Sequence, residues 1–415
     1  MDLKKYKLGD IADIINGATP STSCEDNYDG EIVWITPKDL SEQKAKYVER
    51  GSRNITQKGF NSCSAQMIPA YNILMSSRAP IGLLAINKIE CCTNQGFKNI
   101  VVDRSICDVD FLYYYLKYHI KEIEALGSGT TFKEVSKASL QQFEITIPSL
   151  DVQKHIASIL ADIDQKIALN RAINDNLEAM AKQLYDYWFV QFDFPNEEGK
   201  PYKSSGGKMV WNEILKREIP KGWLSKMVSE FEGNIVTGKT PSCANEDNFG
   251  GDIPFVTIDD IRGNLFVFQA QRTLSKLGAD SQAKKYLPEG SLCVSCIGTI
   301  GVMGFVARLA QTNQQINSII FGKEYNKEYS YFSLMLHFGN AKTKTGNVFA
   351  NMNKEEFASI YIPYPSIELL QRYHEVVLPM FDAIRTNTIE ILNLTKQRDE
   401  LLPLLMNGQV AVNSD

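Results

Sequence analysis

The feature that most constrains the fold of this chain is an internal repeat, because the second half of the sequence follows the first at a nearly fixed distance. The first matched segments are GATPS at 17–21 with GKTPS at 238–242, DNY at 26–28 with DNF at 247–249, and Thr36 with Thr257, all at an offset of 221. Later segments, IG at 81–82 with 300–301 and TNQ at 93–95 with 312–314, match at an offset of 219. Repetition at a fixed period indicates duplicated structural units. The 415-residue chain is therefore predicted to contain two copies of one fold.

Each copy is predicted to mix strands and helices. Short runs rich in β-branched and aromatic residues, separated by Gly, Pro and Asn, predict an irregular sheet with strands at 32–36, 73–75, 83–86 and 99–102. Apolar residues at helical spacing predict one helix over 109–126, with a shorter counterpart over 329–339. The predicted fold class is α+β, with two similar globular domains, each followed by a long helix.

The two long helices carry heptad patterns. Residues 151–189 contain no Gly or Pro. Their seam of heptad positions, apolar except for two Asn, comprises Ile156, Leu160, Ile163, Ile167, Asn170, Asn174, Leu177 and Leu184. The seam of the C-terminal helix comprises Met380, Ile384, Asn387, Ile391, Leu394 and Leu401, with Val377 and Arg398 at the same spacing. Such narrow seams favour mutual pairing as a coiled coil, in which the Asn residues fix the register at some cost in stability. The alternative is two amphipathic helices that pack separately, each on its own domain.

These patterns divide the chain into six segments. They are a first globular domain (1–148), a long central helix (149–192), a linker (193–222), a second globular domain (223–365), a C-terminal long helix (366–408) and a tail (409–415). The linker is assigned from EEGKP at 197–201 and SSGG at 204–207, whose composition is typical of a flexible connection.

Composition limits the compartment and the chemistry. The sequence has no charged start followed by an apolar segment and no apolar run of about eighteen residues, so we expect a cytoplasmic protein without a membrane span. Its eight Cys are expected to remain thiols, and Cys293-x-x-Cys296 lacks the second pair typical of a zinc site. We expect no metal site. The net charge of −5 does not exclude DNA binding, because a few loops can read bases while a partner subunit attracts the phosphates.

Taken in order, these motifs resemble the DNA-specificity subunits of type I restriction-modification systems over almost the entire length. The features that carry the resemblance are GATPS and GKTPS, WITPKD at 34–39, TNQG at 93–96, the segment 148–170, FDFP at 192–195 and IPKGW at 219–223. The second half departs from the family features of the first, among other places, with Phe255 for Trp34, Ile258 for Pro37 and Gln315 for Gly96.

The resemblance implies a non-catalytic subunit without a cofactor. Its two target-recognition domains are expected to be held apart by an antiparallel coiled coil, each domain reading one half of a split, asymmetric sequence in double-stranded DNA. Two methyltransferase (modification) subunits are expected to dock on this framework, and two restriction (motor-nuclease) subunits to join them.

Loop residues with hydrogen-bonding side chains are the candidates for DNA contact, because base edges in the major groove present donors and acceptors. In the first domain they are Thr36, Lys38, Asp39, Ser76, Ser77, Arg78, Asn94, Gln95, Lys98, Thr130, Thr131 and Lys133. In the second they are Thr257, Asp259, Asp260, Arg262, Ser295, Thr299, Asn313, Gln314, Lys342, Lys344 and Asn347. The alternative is that these residues only hold the loops in shape, as turn and cap chemistry does, especially where both halves share them.

Two other functions fit the sequence less well. A methyltransferase fused to its own reader would need a Gly-rich cofactor loop after a strand and, by family resemblance, an Asn/Asp-Pro-Pro-aromatic element, and neither occurs in the sequence. A coiled-coil scaffold that binds only proteins would not need two similar globular domains with different loops. The sequence therefore favours a DNA reader over both.

Overall fold

A computed structural model of the chain describes residues 3–43, 46–78, 80–128, 133–232, 234–345 and 351–409, with the side chains of 341–345 excepted. The chain forms two compact units. Unit 1 comprises residues 1–170 and 390–415, and unit 2 comprises residues 171–389. Each unit thus contains one globular domain and one part of each long helix.

Unit 1 is built on a five-stranded sheet. Its strands lie in the order Ala12–Asn16, Phe97–Val102, Ile73–Ser76, Leu84–Asn87 and Tyr47–Val48. The neighbours are antiparallel except for the last pair, and the register places Ile73 opposite both Ile86 and Ile100. The central strand Ile73–Ser76 is buried throughout, which is why it reads as a continuous apolar run. Smaller strands are Lys4–Lys7 paired with Glu144–Ile147, Trp34–Ile35 paired with Cys92–Thr93, and Tyr28–Ile32.

The helices of unit 1 are short except for the one that covers the sheet. They are Leu8–Ile11, Pro37–Glu42, Gln57–Asn61, Val109–Tyr118, Ile120–Ala125 and Lys137–Gln141, with a 3₁₀ turn at Glu25–Asn27. The prediction of a single helix over 109–126 is wrong, because the helix ends at His119 (φ −90°, ψ 18°) and a second one begins there. The core forms where Phe111, Leu112 and Tyr114 meet the sheet and the apolar end of the C-terminal helix.

Unit 2 repeats the same sheet. Its strands lie in the order Asn234–Thr237, Ile316–Ile320, Leu292–Ser295, Met303–Val306 and Phe266–Val267, and further strands are Phe249–Val256, Thr273–Leu274, Gln311–Thr312, Leu224–Met227 and Tyr361–Tyr364. The helices are Val228–Phe231, Ile258–Ile261, Lys276–Asp280, Lys327–Thr345 and Lys354–Ala358, with 3₁₀ turns at Glu246–Asn248, Ala283–Lys285 and Glu324–Asn326. The helix predicted over 329–339 is therefore longer at both ends.

The long helices are Leu150–Tyr185 and Ile367–Met406. They run antiparallel, because within each unit residues further along the first helix contact residues nearer the start of the second. In unit 1, Arg398 Nη1 lies 2.8 Å from Asp164 Oδ1, and Asn170 Nδ2 donates to Glu390 Oε2 at 2.8 Å. In unit 2, Asn387 Nδ2 donates to Asn174 Oδ1 at 2.9 Å. Every predicted seam residue is buried or half-buried. The Asn side chains therefore meet polar partners within the seam, as register-fixing residues must.

The first long helix ends in a π turn, Asp186–Val190, followed by Phe192 in a left-handed conformation (φ 66°). The segment 193–222 then forms a hairpin, Met209–Asn212 with Arg217–Pro220, which the sequence did not predict. Aromatic stacking holds the segment in place, since the ring of Phe194 lies 4.7 Å from Tyr202 and 5.5 Å from Trp223. Whether 193–222 acts as a linker stays a prediction.

Candidate nucleic-acid interface

In unit 1, three loop segments predicted to contact DNA meet one another at the end of the central strands. The backbone N–H of Ser77 donates to Gly96 O at 2.7 Å, and that of Val135 donates to Ser77 O at 2.9 Å. The N–H of Asn94 donates to Ile35 O at 3.0 Å, which adds the segment that begins at Thr36. Four stretches of chain are thus brought to one surface by backbone hydrogen bonds.

We call these joined backbone segments the frame. Unit 2 builds the same frame from the matched residues. The N–H of Cys296 donates to Gln315 O and that of Met352 to Cys296 O, both at 2.8 Å, and Asn313 N–H donates to Val256 O at 3.3 Å. The repeat therefore encodes a duplicated backbone frame in which different side chains are displayed.

The repeated glycines are explained by a close approach of chains inside this frame. A Cβ on Gly17 would lie 1.9 Å from Asn94 O, and a Cβ on Gly238 would lie 2.1 Å from Asn313 O. Any side chain there would push the Asn-Gln loop outward. The GATPS and GKTPS motifs are thus needed for the shape of the frame, which agrees with a structural rather than a reading role for features that both halves share.

Two pairs of the predicted contacts form matched helix caps. Thr36 Oγ1 donates to Asp39 Oδ2 at 2.7 Å, and Thr257 Oγ1 donates to Asp260 Oδ2 at 2.7 Å. The other carboxylate oxygen accepts a backbone N–H, from Ser52 to Asp39 and from Gln271 to Asp260, each at 2.8 Å. Burial raises the pKa of Asp39, but the hydrogen bonds from Thr36 and Ser52 outweigh it, so this pKa lies below its ordinary value.

Three predicted serines are fully buried in the free chain. Ser76 Oγ donates to Pro80 O at 2.6 Å, Ser77 Oγ to Gly96 O at 3.2 Å, and Ser295 Oγ to Thr299 O at 2.5 Å. A base contact would require these bonds to break and the strands to separate, so burial argues against direct reading by these three hydroxyls. Asn94 and Asn313 also bond locally, because their Oδ1 atoms accept the N–H groups of Gly96 and Gln315.

The exposed predicted residues differ between the two units. In unit 1 they are Lys38, Arg78, Gln95 and Lys133, and in unit 2 they are Asp259, Arg262, Thr299 and Gln314. Lys98 is buried and lies with its Nζ 3.1 Å from Glu134 Oε1. Thr130, Thr131 and Asn347 lie outside the described residues, as do the side chains of Lys342 and Lys344. These assignments to DNA contact stay predictions.

Glu134 is a charged member of this surface that the sequence prediction missed. Its carboxylate lies between Lys98 and Arg78, with Arg78 Nε donating to Oε2 at 2.9 Å. Burial raises the pKa of Glu134, and the bonds from Lys98 and Arg78 outweigh it, so the pKa is lower than ordinary. In the sequence, the only sign of a role for Glu134 was its position directly after the predicted Lys133. No local pattern indicates that its partners, Lys98 and Arg78, are 36 and 56 residues away.

Within the described parts of the chain, no group of three or more His, Cys, Asp or Glu residues is arranged to hold a metal ion. Cys293 and Cys296 are buried free thiols, and burial raises the pKa of Cys293 to about 12 and that of Cys296 to about 11. None of the described helices is long and apolar enough to cross a membrane.

A comparison with known protein families finds the same family in both halves of the chain. A sequence model of the type I restriction modification DNA specificity domain matches residues 1–179 and again residues 220–396. The chain belongs to this family. The two matches correspond to the two repeats, and this specificity protein therefore carries the domain twice, as the sequence predicted.

Full-length relatives support the same assignment. The specificity protein is 31% identical to the type I restriction enzyme MjaIX specificity subunit of Methanocaldococcus jannaschii, over 99% of this chain and 94% of that one. It is 30% identical to the HindI specificity subunit of Haemophilus influenzae, over 99% and 100%. The crystal structure of the S subunit of a type I system from M. genitalium matches with a TM-score of 0.55 and 16% identity, covering 98% and 96% of the two chains. The predicted α+β fold, with two target-recognition domains and paired long helices, is confirmed.

Proposed function

We propose that this chain is the non-catalytic reader of a type I restriction-modification complex and acts in the cytoplasm. Each target-recognition domain reads one half of a bipartite, asymmetric target in double-stranded DNA. The paired helices dock two methyltransferase subunits, and two restriction subunits join them. The observation that carries the proposal is the duplicated frame, which has the same backbone bonds in both units but different exposed side chains.

The differences between the two frames are of the kind that changes base preference. At matched positions, unit 1 has Lys38 where unit 2 has Asp259, and both are exposed. A cation suits the acceptor edge of guanine, whereas a carboxylate suits the amino group of cytosine. Two domains that differ in this way would prefer different half-sites, which supports an asymmetric target.

Local charge also supports DNA binding despite the net charge of −5. The exposed predicted residues of unit 1 include Lys38, Arg78 and Lys133. The buried Lys98 shares the carboxylate of Glu134 with Arg78. Phosphate contacts need only such local cations, since they fix position while base contacts give specificity. The methyltransferase partners would supply further contacts with phosphates.

The test exchanges residues 223–364 for the matching domain of a relative with a different target. The chain is assembled with its methyltransferase subunits and S-adenosylmethionine, and methylated sites are sequenced. We expect one half of the recognised sequence to change while the other half and the gap persist. A matched control exchanges the first domain and should change the opposite half. If either exchange altered both halves, the modular proposal would be wrong.

A further inference from the structure

The two frames differ in the set of side chains at the place where the three backbone segments of each unit meet. In unit 1 the set is Arg78, Lys98 and Glu134. The matched positions in unit 2 are Ile297, Asn317 and Asn351, because the bridge Arg78↔Glu134 has its counterpart in Ile297↔Asn351. The same backbone therefore carries three charged residues in one unit and none in the other.

The charged set of unit 1 is arranged in layers. Lys98 lies at the bottom, with its side chain 8% exposed, and its Nζ contacts Glu134 Oε1 at 3.1 Å and Ser77 Oγ at 3.4 Å. Glu134 lies above it, and Arg78 is outermost, with 46% of its side chain exposed. A buried ammonium needs a counter-charge, so Lys98 holds the carboxylate of Glu134 in place. Glu134 in turn fixes the Arg78 guanidinium through Nε.

The orientation leaves the reading edge of Arg78 available. Only Nε is engaged by the carboxylate, and neither Nη atom has a hydrogen-bond partner among the residues that the structure describes. A guanidinium with both Nη groups presented can donate two parallel bonds to the O6 and N7 acceptors of guanine. The charge of the set is +1, since two cations surround one anion, whereas the set of unit 2 is neutral.

Resting on the proposed function, the geometry points to Arg78 as a base-reading residue of the first half-site, with guanine as its partner, and to Glu134 and Lys98 as positioning residues. The second domain lacks this charged set. Its Asn317 Oδ1 accepts instead from Thr237 Oγ1 at 2.6 Å, and Ile297 offers no donor. Unit 2 must therefore read its half-site from other side chains.

The experiment uses the chain assembled with its methyltransferase subunits and duplexes in which each base pair of the target is replaced singly. Arg78→Lys keeps the charge but removes the planar fork. We expect its preference for the correct base at one G·C pair of the first half-site to fall about tenfold to a hundredfold. Preference across the second half-site and the slope of affinity against salt should not change.

Glu134→Gln tests the positioning role, because it keeps the shape and removes the charge. It should weaken preference at the same G·C pair and at no other, which a general loss of folding would not do. Asn351→Gln, at the matched position of unit 2, is the control and should leave the first half-site unaffected. A uniform loss of affinity for all duplexes in Arg78→Lys, with the base preference unchanged at every pair, would identify a phosphate contact and overturn the inference.

The wild-type complex separates this inference from the proposed function. If wild type shows no preference in either half-site, the proposed function fails and the inference falls with it. If wild type discriminates in both half-sites and Arg78→Lys discriminates equally well in the first, only the inference is overturned.

Discussion

The ion pair between the long helices in unit 1 gives a prediction whose size follows from the structure. The Asp164 carboxylate accepts from Arg398 Nη1 at 2.8 Å and from the Tyr114 hydroxyl at 2.7 Å. Both charged side chains are only about one-sixth exposed, at 16% and 17%. Removing one member of a fully buried pair costs about 3–5 kcal/mol, and partial access to water lowers this. A hydrogen bond to a charged group contributes about 1.5–3 kcal/mol.

The two single substitutions should therefore differ. Asp164→Leu removes both bonds and leaves the Tyr114 hydroxyl without its partner, so we expect a loss of about 3 kcal/mol. Arg398→Leu leaves Asp164 bonded to Tyr114, so about 2 kcal/mol is expected. The double variant replaces the pair by apolar groups and should lose about 1–2 kcal/mol less than the sum of the two.

Native-state hydrogen exchange of the amides at residues 156–167 measures the local free energy of opening in the full chain. The control is Lys396 with Glu400, an exposed pair 3.9 Å apart within one helix, whose double-mutant cycle should give a coupling of no more than about 0.5 kcal/mol. Additivity of Asp164→Leu and Arg398→Leu within about 0.5 kcal/mol would refute the reasoning, because the pair would then contribute nothing of its own.

Three further predictions follow from the proposed function and from unit 2. The purified chain should transfer no methyl group and cleave no DNA alone, and methylation above a no-protein control would contradict the non-catalytic assignment. Adding one heptad to each long helix, in register, lengthens the pair by about 10.5 Å, so a substrate panel should show a preferred gap about three base pairs longer; an unchanged gap in an active variant would show that the helices do not set it. His374 Nδ1 lies 2.7 Å from Glu328 Oε2, and this hydrogen bond raises the pKa of His374. The stabilisation is full below the ordinary histidine pKa and is lost as pH rises through the raised value, so stability should fall in that window and His374→Gln should remove the slope.

The long helices were predictable because their signal is distributed over many residues. A heptad seam depends on spacing rather than on any one contact, and each seam position from Ile156 to Leu401 is buried or half-buried. The repeat also predicted the fold correctly, since the matched motifs belong to two sheets with the same strand order. Periodicity therefore predicts architecture well.

Local features were predicted less well where one polar group decides the outcome. Ser76 and Ser295 look like exposed loop hydroxyls in the sequence, but each reaches a carbonyl four residues away and is buried. The break at His119 has no Gly or Pro to announce it, because the apolar pattern continues through it. Glu134 depends on partners far away in the chain, which spacing alone cannot show.

The matched caps at Asp39 and Asp260 suggest where the two copies diverged after their duplication. Asp39 bonds a backbone N–H that lies 13 residues further along, whereas Asp260 bonds one only 11 residues further along. The same carboxylate bond thus spans segments that differ in length by two residues, and the sheets of both units keep the same strand order. A library that varies the length of the connection between the helix Pro37–Glu42 and the strand Tyr47–Val48 should therefore yield folded proteins, which makes this connection a favourable point for inserting a label.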